Sequence, residues 1–306
     1  MRVITQTSLP NLVHRGKVRD TYDLGGGLLL MVATDRISTF DVVHPTGVPG
    51  KGLVLSRLSA FWFRKTGHIV PNHFLGMADE PQVRARLKDS PVFAAMTPQV
   101  ARQAMVIRRA QRIDIECVAR GYLAGSAWAE YSRDGTACGV PLPQGLLEGG
   151  KLPEPVFTPT TKAEEGHDQN MGRDEVVAIV GREMASRLER TTLDIYRYAH
   201  DYALSRGIIL ADTKVEFGLV EGGLILIDEL LTPDSSRFWD VKAYRPGRSQ
   251  PSFDKQPVRD WGVAQGWDKR PPAPALPPDV VSKTTERYLE AYRLLTGEEL
   301  RLEGAS

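Results

Sequence analysis

The sequence predicts an α+β protein of two lobes, and three observations lead there. Short strand-like runs with a single helical pattern fill residues 1–112, and helical patterns with an antiparallel hairpin fill residues 113–306. No internal repeat links the two parts. Hydrophobic residues make up 42% and charged residues 25% of the 306, ordinary globular usage that excludes disordered, fibrous and collagen-like classes. The length allows about two domains with a full core.

In the first part, residues 12–14, 28–33 and 104–108 read as strands, and Leu55, Leu58, Phe61 and Trp62 recur at helical spacing. A strand with β-branched residues, 113–118, then runs into Gly121, and Ser126 stands as the N-cap of a helix over AWAEY. Residues 135–170, rich in Gly and Pro, read as a long loop. Helical patterns from 174 to 205 carry Met184, Leu188, Ile195 and Tyr202 on one stripe and stop at Gly207. Residues 208–218 and 224–229 flank the turn signal EGG, which predicts a hairpin. The connector PPAPALPP leads into a last amphipathic helix with Val280, Tyr288, Leu289, Tyr292 and Leu295.

The net charge of +1 hides a split. Residues 1–112 hold 16 Lys/Arg against 7 Asp/Glu, and residues 113–306 hold 23 against 31. Such a division could serve nucleic acid, or could separate phosphate binding from metal binding. Cys117 and Cys138 are the only cysteines, too few for a disulfide framework, so a reducing cytoplasm is the expected home. No Cys/His spacing fits a metal site, the amino terminus lacks the apolar segment of a secretion signal, and no apolar run could span a membrane.

Five segments carry chemistry. In GKVRD, Gly16 permits close approach of backbone to a phosphate, and Lys17 and Arg19 alternate toward one side, as in a lid over nucleotide phosphates; a basic hairpin turn is the plain alternative. In LADTKVEFG the period of two puts Asp212, Lys214 and Glu216 on one face. A three-residue loop, 221–223, sets Glu216 directly opposite Asp228, a carboxylate pair suited to Mg²⁺; a two-residue loop changes the parity and separates them. TPDSSRFW joins hydroxyls and an arginine fork suited to a phosphomonoester, or else begins a helix capped by Asp234 or Ser235. RGYLAGSAW repeats this chemistry with Arg120 and Ser126. FTPTTKAEEGHDQN gathers Lys162, Glu164, Glu165, His167 and Asp168, with 161–164 fitting a capping box and the Lys162 amine able to hold a transferring phosphoryl group.

Together RGKVRDTYDL, VATDRISTFDVV, IECVARGYLAGSAW, FTPTTKAEEGHDQN, LADTKVEFG, IDELLTPDSSRFW and SFDKQPVRDW, in that order over nearly the whole chain, resemble the phosphoribosylaminoimidazole-succinocarboxamide synthase (SAICAR synthetase) family. The stretch 141–155 resembles its longer, yeast-like form. The resemblance implies an ATP-grasp-like architecture with the nucleotide between the lobes. It implies an ATP-dependent ligase that joins carboxyaminoimidazole ribotide (CAIR) to L-aspartate through an acyl phosphate, with Mg²⁺ as cofactor. Carried onto this sequence, it places Gly16, Lys17, Val18 and Arg19 at the ATP phosphates and Met105, Ile107 and Arg108 at the adenine. Glu216 and Asp228 would hold the metal, and Lys214, Lys162 and Asp212 would make the catalytic set. Arg120, Ser126 and Arg237, with Ser235 and Ser236, would take the ribotide phosphate, and Asp35, Ser38, Asp254 and Lys255 would have substrate or metal-shell roles. The partners implied are small molecules, without nucleic acid or membrane, for a monomer or small homo-oligomer. A small-molecule kinase and a nucleic-acid binding protein are the competing readings.

Overall fold

The computed structural model describes residues 2–161 and 169–302. The strand-forming runs of the first part make a five-stranded antiparallel sheet in the order Leu12–Arg15, Arg19–Gly25, Leu28–Ala33, Ala104–Arg108, Phe74–Met77. Alternation sorts its side chains between two faces. Met31, Met105 and Ile107 join the apolar cluster that holds Leu55, Leu58, Trp62 and Phe63 of the helix Lys51–Thr66, while Leu30, Val32 and Val106 join Val92, Phe93 and Val100 in a second cluster.

The start of that helix settles one expected site residue. Gly50 has no side chain to cap with, and the orphan N–H of Gly52 is met instead by Asp35 Oδ1 at 3.0 Å, while Asp35 Oδ2 accepts from Ile4 N at 2.8 Å. Asp35, fully buried, is a joint between the amino-terminal segment and the helix. Its expected substrate or metal-shell role stays a proposal beside this structural one.

The second sheet has six strands. Lys151–Phe157, Gln111–Tyr122 and Ile208–Val220 lie in that order, Gly223–Ile227 and Ser236–Asp240 both pair with Ile208–Val220, and Thr160–Thr161 pairs with Gln111–Tyr122. The helix Arg182–Ser205 buries Leu188, Ile195, Tyr196 and Ala199 in the same cluster as Val215 and Phe217 of the long strand. One apolar core runs from Met105 and Trp62 through Cys117 and Phe217 to Tyr288 and Leu295 of the last helix, Pro278–Thr296. The two lobes therefore share a core. The expected boundary at 112 falls one residue inside the strand Gln111–Tyr122.

Several local expectations change. Residues 135–170 are not one loop: the strand Lys151–Phe157 forms despite Pro153 and Pro155 because it lies at the sheet edge, where a missing N–H costs no ladder bond. The helical region divides at Gly181 into Arg173–Val180 and Arg182–Ser205. Gly125, not Ser126, is the N-cap of the helix Ser126–Asp134. No helix begins at Asp234 or Ser235; Thr232 and Ser235 close a turn onto each other and the chain enters the strand Ser236–Asp240. Residues 162–168, with Lys162, Glu164, Glu165, His167 and Asp168, lie outside the described residues. No described helix is long and apolar enough to cross a membrane.

Candidate active site

Strand register builds one end of the site. Asp212 pairs across the ladder with Arg120 on one side and Arg237 on the other, so a carboxylate is flanked by two guanidinium groups. Arg120 Nη1 donates to Asp212 Oδ2 at 3.1 Å, and Arg237 Nη1 donates to the same oxygen. Arg120 also donates to Thr158 Oγ1 at 2.9 Å and to Ser126 Oγ at 3.4 Å. Asp212 raises the Arg237 pKa above its usual value against the opposing pull of burial. Gly125, at φ 58°, lets the arginine approach: a Cβ there would collide with the Arg237 guanidinium.

Four residues along the same strand the sign reverses. The turn at Glu221–Gly222 has two residues, Val220 pairs with Gly223, and Glu216 stands opposite Ile227, not Asp228. The carboxylate directly across from Glu216 is Glu116, on the other neighbouring strand. Lys214 Nζ donates to Glu116 Oε1 at 2.6 Å, which offsets the like-charge pair. Asp228 reaches the same place by another route, a left-handed backbone at φ 68°. Arg19 Nη2 donates to Asp228 Oδ2 at 2.8 Å, and Arg19 Nη1 lies 3.3 Å from Glu229 Oε1. Burial alone would lower the pKa of both cations, yet each is raised. Asp228, Glu229 and Glu216 outweigh burial for Arg19, and Glu116, Glu216 and Asp228 do so for Lys214. Glu216 and Asp228 thus act on the same two cations without facing each other.

Below Asp228 lies His73, buried and pushed down to about 4 by that burial. Its Nε2 is 3.2 Å from the Asp228 carbonyl, which can only accept, so the neutral ring carries its proton on Nε2. Residues 71–73 also stitch the lobes: His73 N donates to Leu226 O of the second sheet, and Arg108 N of the first donates to His73 O.

Lys17 and Arg19 do not act side by side as expected. Lys17 Nζ pairs with Asp41 at 2.7 Å in an exposed position, whereas Arg19 turns inward to Asp228. Asp234 is a buried hub: Lys51 Nζ and Tyr288 OH each donate to it at 2.6 Å, and Lys255 Nζ is 3.9 Å away. Burial opposes its ionisation, but Lys255 and Lys51 hold its pKa far below the usual carboxylate range. Asp254 accepts from Arg259 Nη1 at 2.9 Å and from Gln256 N at 2.8 Å.

A cavity of about 680 Å³ brings together Arg120, Ser126, Asp212, Lys214, Ser235, Ser236, Arg237 and Asp254. Glu116, Asp234 and Arg259 also line it; the sequence offers Asp234 only as a helix cap and gives Glu116 and Arg259 no site role. For Glu116 the signal was an acid in a β-branched strand; only the register with Lys214 and Glu216 gives it meaning. A larger cavity, about 730 Å³ beside residues 2–9, contains none of the expected site residues. Ser38 sits in the short strand Ser38–Thr39 and lines none of these cavities. Met105 and Ile107 are core residues of the first sheet, and the Arg108 side chain is exposed.

The family model described as SAICAR synthetase matches residues 12–274. The chain belongs to the SAICAR synthetase family. A phosphoribosylaminoimidazole-succinocarboxamide synthase of Methylococcus capsulatus is 54% identical over 289 residues, 94% of this chain and 95% of the relative. One of Thermodesulfovibrio yellowstonii is 50% identical, covering 96% and 99%. The solved SAICAR synthase of Saccharomyces cerevisiae complexed with SAICAR superposes with a TM-score of 0.86 at 40% identity, covering 97% of this chain and 99% of that one. A type-2 SAICAR synthetase in complex with ADP gives 0.68 at 26%, covering 94% and 99%. The fold is thus that of the SAICAR synthetases, consistent with an ATP-grasp-like architecture, and is nearer the yeast form. The chain is an ATP-dependent ligase of purine biosynthesis that joins CAIR to L-aspartate.

Proposed function

We propose that the two ends of the charged face of Ile208–Val220 divide this reaction between them. The observation that carries the reading is the reversal of sign along one strand: two arginines around Asp212, then carboxylates around Lys214 and Arg19. The arginine end takes the ribotide phosphate through Arg120 and Arg237, with Ser126, Ser235 and Ser236 as hydroxyl donors. The acidic end faces the nucleotide, whose phosphates meet the turn at Gly16–Arg19 while the adenine lies along residues 105–108.

Glu116, Glu216, Asp228 and Glu229 outnumber Lys214 and Arg19 by two charges, a balance that fits a divalent cation. No three His, Cys, Asp or Glu side chains among the described residues gather to hold a metal alone. Mg²⁺ needs no such trio, since it binds through one or two carboxylates plus nucleotide phosphates. Glu216 and Asp228 would hold it, and when bound it would neutralise charge on the transferring phosphoryl group.

A carboxylate has no usable leaving group, so the amide forms only after activation. A CAIR carboxylate oxygen attacks the γ-phosphorus, the bond to the β-phosphate oxygen breaks, and ADP leaves. The aspartate amine then attacks the acyl carbon, phosphate departs with that carboxylate oxygen, and the amine gives up a proton. Lys214 and Arg19 stand where charge gathers on the phosphoryl oxygens. Lys162 keeps its expected place in the catalytic set on sequence grounds alone.

Heavy-oxygen label in the CAIR carboxylate tests this directly. Label in the released phosphate supports the acyl phosphate, and label retained wholly in the amide or in unreacted CAIR overturns it. Omitting ATP, CAIR or aspartate in turn, with product masses measured, separates ligase from kinase. Both cysteines are free thiols, which suits the cytoplasm.

A further inference from the structure

Arg36 belongs to none of the roles above, yet its guanidinium makes more hydrogen bonds than any proposed substrate arginine. Nη2 donates to Gly16 O at 2.9 Å and to Asp20 Oδ1 at 2.8 Å, Nε to Lys17 O at 3.0 Å, and Nη1 to Thr5 O at 2.6 Å. The next carbonyl, Val18 O, accepts from Thr34 N at 2.9 Å and Thr34 Oγ1 at 2.8 Å. All three carbonyls of the turn are therefore drawn toward the body of the first lobe. Asp20, buried and held by Thr7 N and Oγ1, pairs with the guanidinium from behind and also with Arg15 Nε at 3.4 Å.

In a trans peptide the C=O of one residue and the N–H of the next point in opposite directions. Drawing Gly16 O and Lys17 O inward turns the N–H groups of Lys17 and Val18 outward, and neither has an acceptor among the described residues. Successive outward N–H groups make an anion-binding concavity. We propose that Arg36 is a positioning residue that preorganises the phosphate-binding backbone of residues 16–18 through its fork of bonds to the turn carbonyls. This rests on the assignment of that turn to ATP phosphates. A lid over nucleotide phosphates at this turn would be one fastened at each carbonyl.

The role is geometric, and lysine cannot reproduce it: one ammonium cannot reach four acceptors in a planar fork. Arg36→Lys should raise both the KM for ATP and the ADP dissociation constant measured by calorimetry about tenfold, the loss of one or two charge-assisted bonds. The KM for CAIR should stay within about twofold, since the arginine end is untouched. Guanidinium ion added to Arg36→Ala should recover part of the ADP affinity. Unchanged ADP affinity in Arg36→Lys overturns the proposal, as do equal rises for ATP and CAIR. Should Arg36→Lys fail to fold, Thr34→Val, which removes the hydroxyl bond to Val18 O and the longer one accepted from Arg36 N, should raise the ADP dissociation constant about threefold, and no change there is equally fatal. A wild-type protein that binds ADP but makes no SAICAR would instead sink the assigned function and leave the strap standing.

Discussion

The two ends of strand Ile208–Val220 use the same device with opposite sign. At Asp212 one carboxylate serves Arg120 and Arg237, leaving a surplus of positive charge. At Lys214 and Glu216, roughly 13 Å further on at most by strand rise, cations are outnumbered by carboxylates. The first end is wired for an anion and the second for a cation, with rigid sheet between them. On the proposed reading, transfer from nucleotide to ribotide carboxylate takes place along one strand that carries both charged ends.

The comparison breaks most severely at the acidic end. Glu216→Gln or Asp228→Asn should lower kcat about 10⁴-fold while circular dichroism and melting stay near wild type. Wild-type turnover in either would show that the charge surplus has no metal to serve. At the other end, Arg237→Ala should raise the KM for CAIR roughly 10³-fold, since it also leaves Asp212 short of a partner, and the KM for ATP by far less. Equal losses would mean the ends are not separate.

Asp35 sharpens the contrast because its hydrogen bonds go to Ile4 and Gly52 rather than to either end. Burial pushes its carboxyl up to about 6, from 3.8, so the folded protein keeps a proton that the unfolded chain has released between those values. Stability should fall as pH rises from about 4 to about 6, by up to about 3 kcal/mol, and level off above. Asp35→Asn should remove that slope in urea titrations at stepped pH while leaving both KM values within about threefold; a large KM change would return it to the site. The smallest effect belongs to Lys17→Ala. Its pair with Asp41 is exposed, so melting should hardly move, and the KM for ATP should rise only a few-fold. A shift in the KM for CAIR instead would move the turn to the ribotide.

How much of this the chain declares in advance varies with the physics. The hairpin at EGG and the alternation of Asp212, Lys214 and Glu216 were readable, because a period of two survives any context. Register was not: a turn of two residues rather than three moved Asp228 off the partner position, and only a left-handed backbone returned it to the site. Ser and Asp mark turns and helix caps by the same hydrogen bonds, so 232–235 left a helix start open as an alternative where the chain makes a turn. Glu116 showed only as an acid in a β-branched strand and Arg36 not at all, since their partners lie across strands or across a turn.

The hub at Asp234 has a consequence for how damage far along the chain is felt. Lys51 opens the first long helix and Tyr288 belongs to the last, and both donate to one carboxylate that lines the cavity. A buried carboxylate stripped of a donor must move or take up a proton, so a lesion in the last helix is transmitted to the cavity wall.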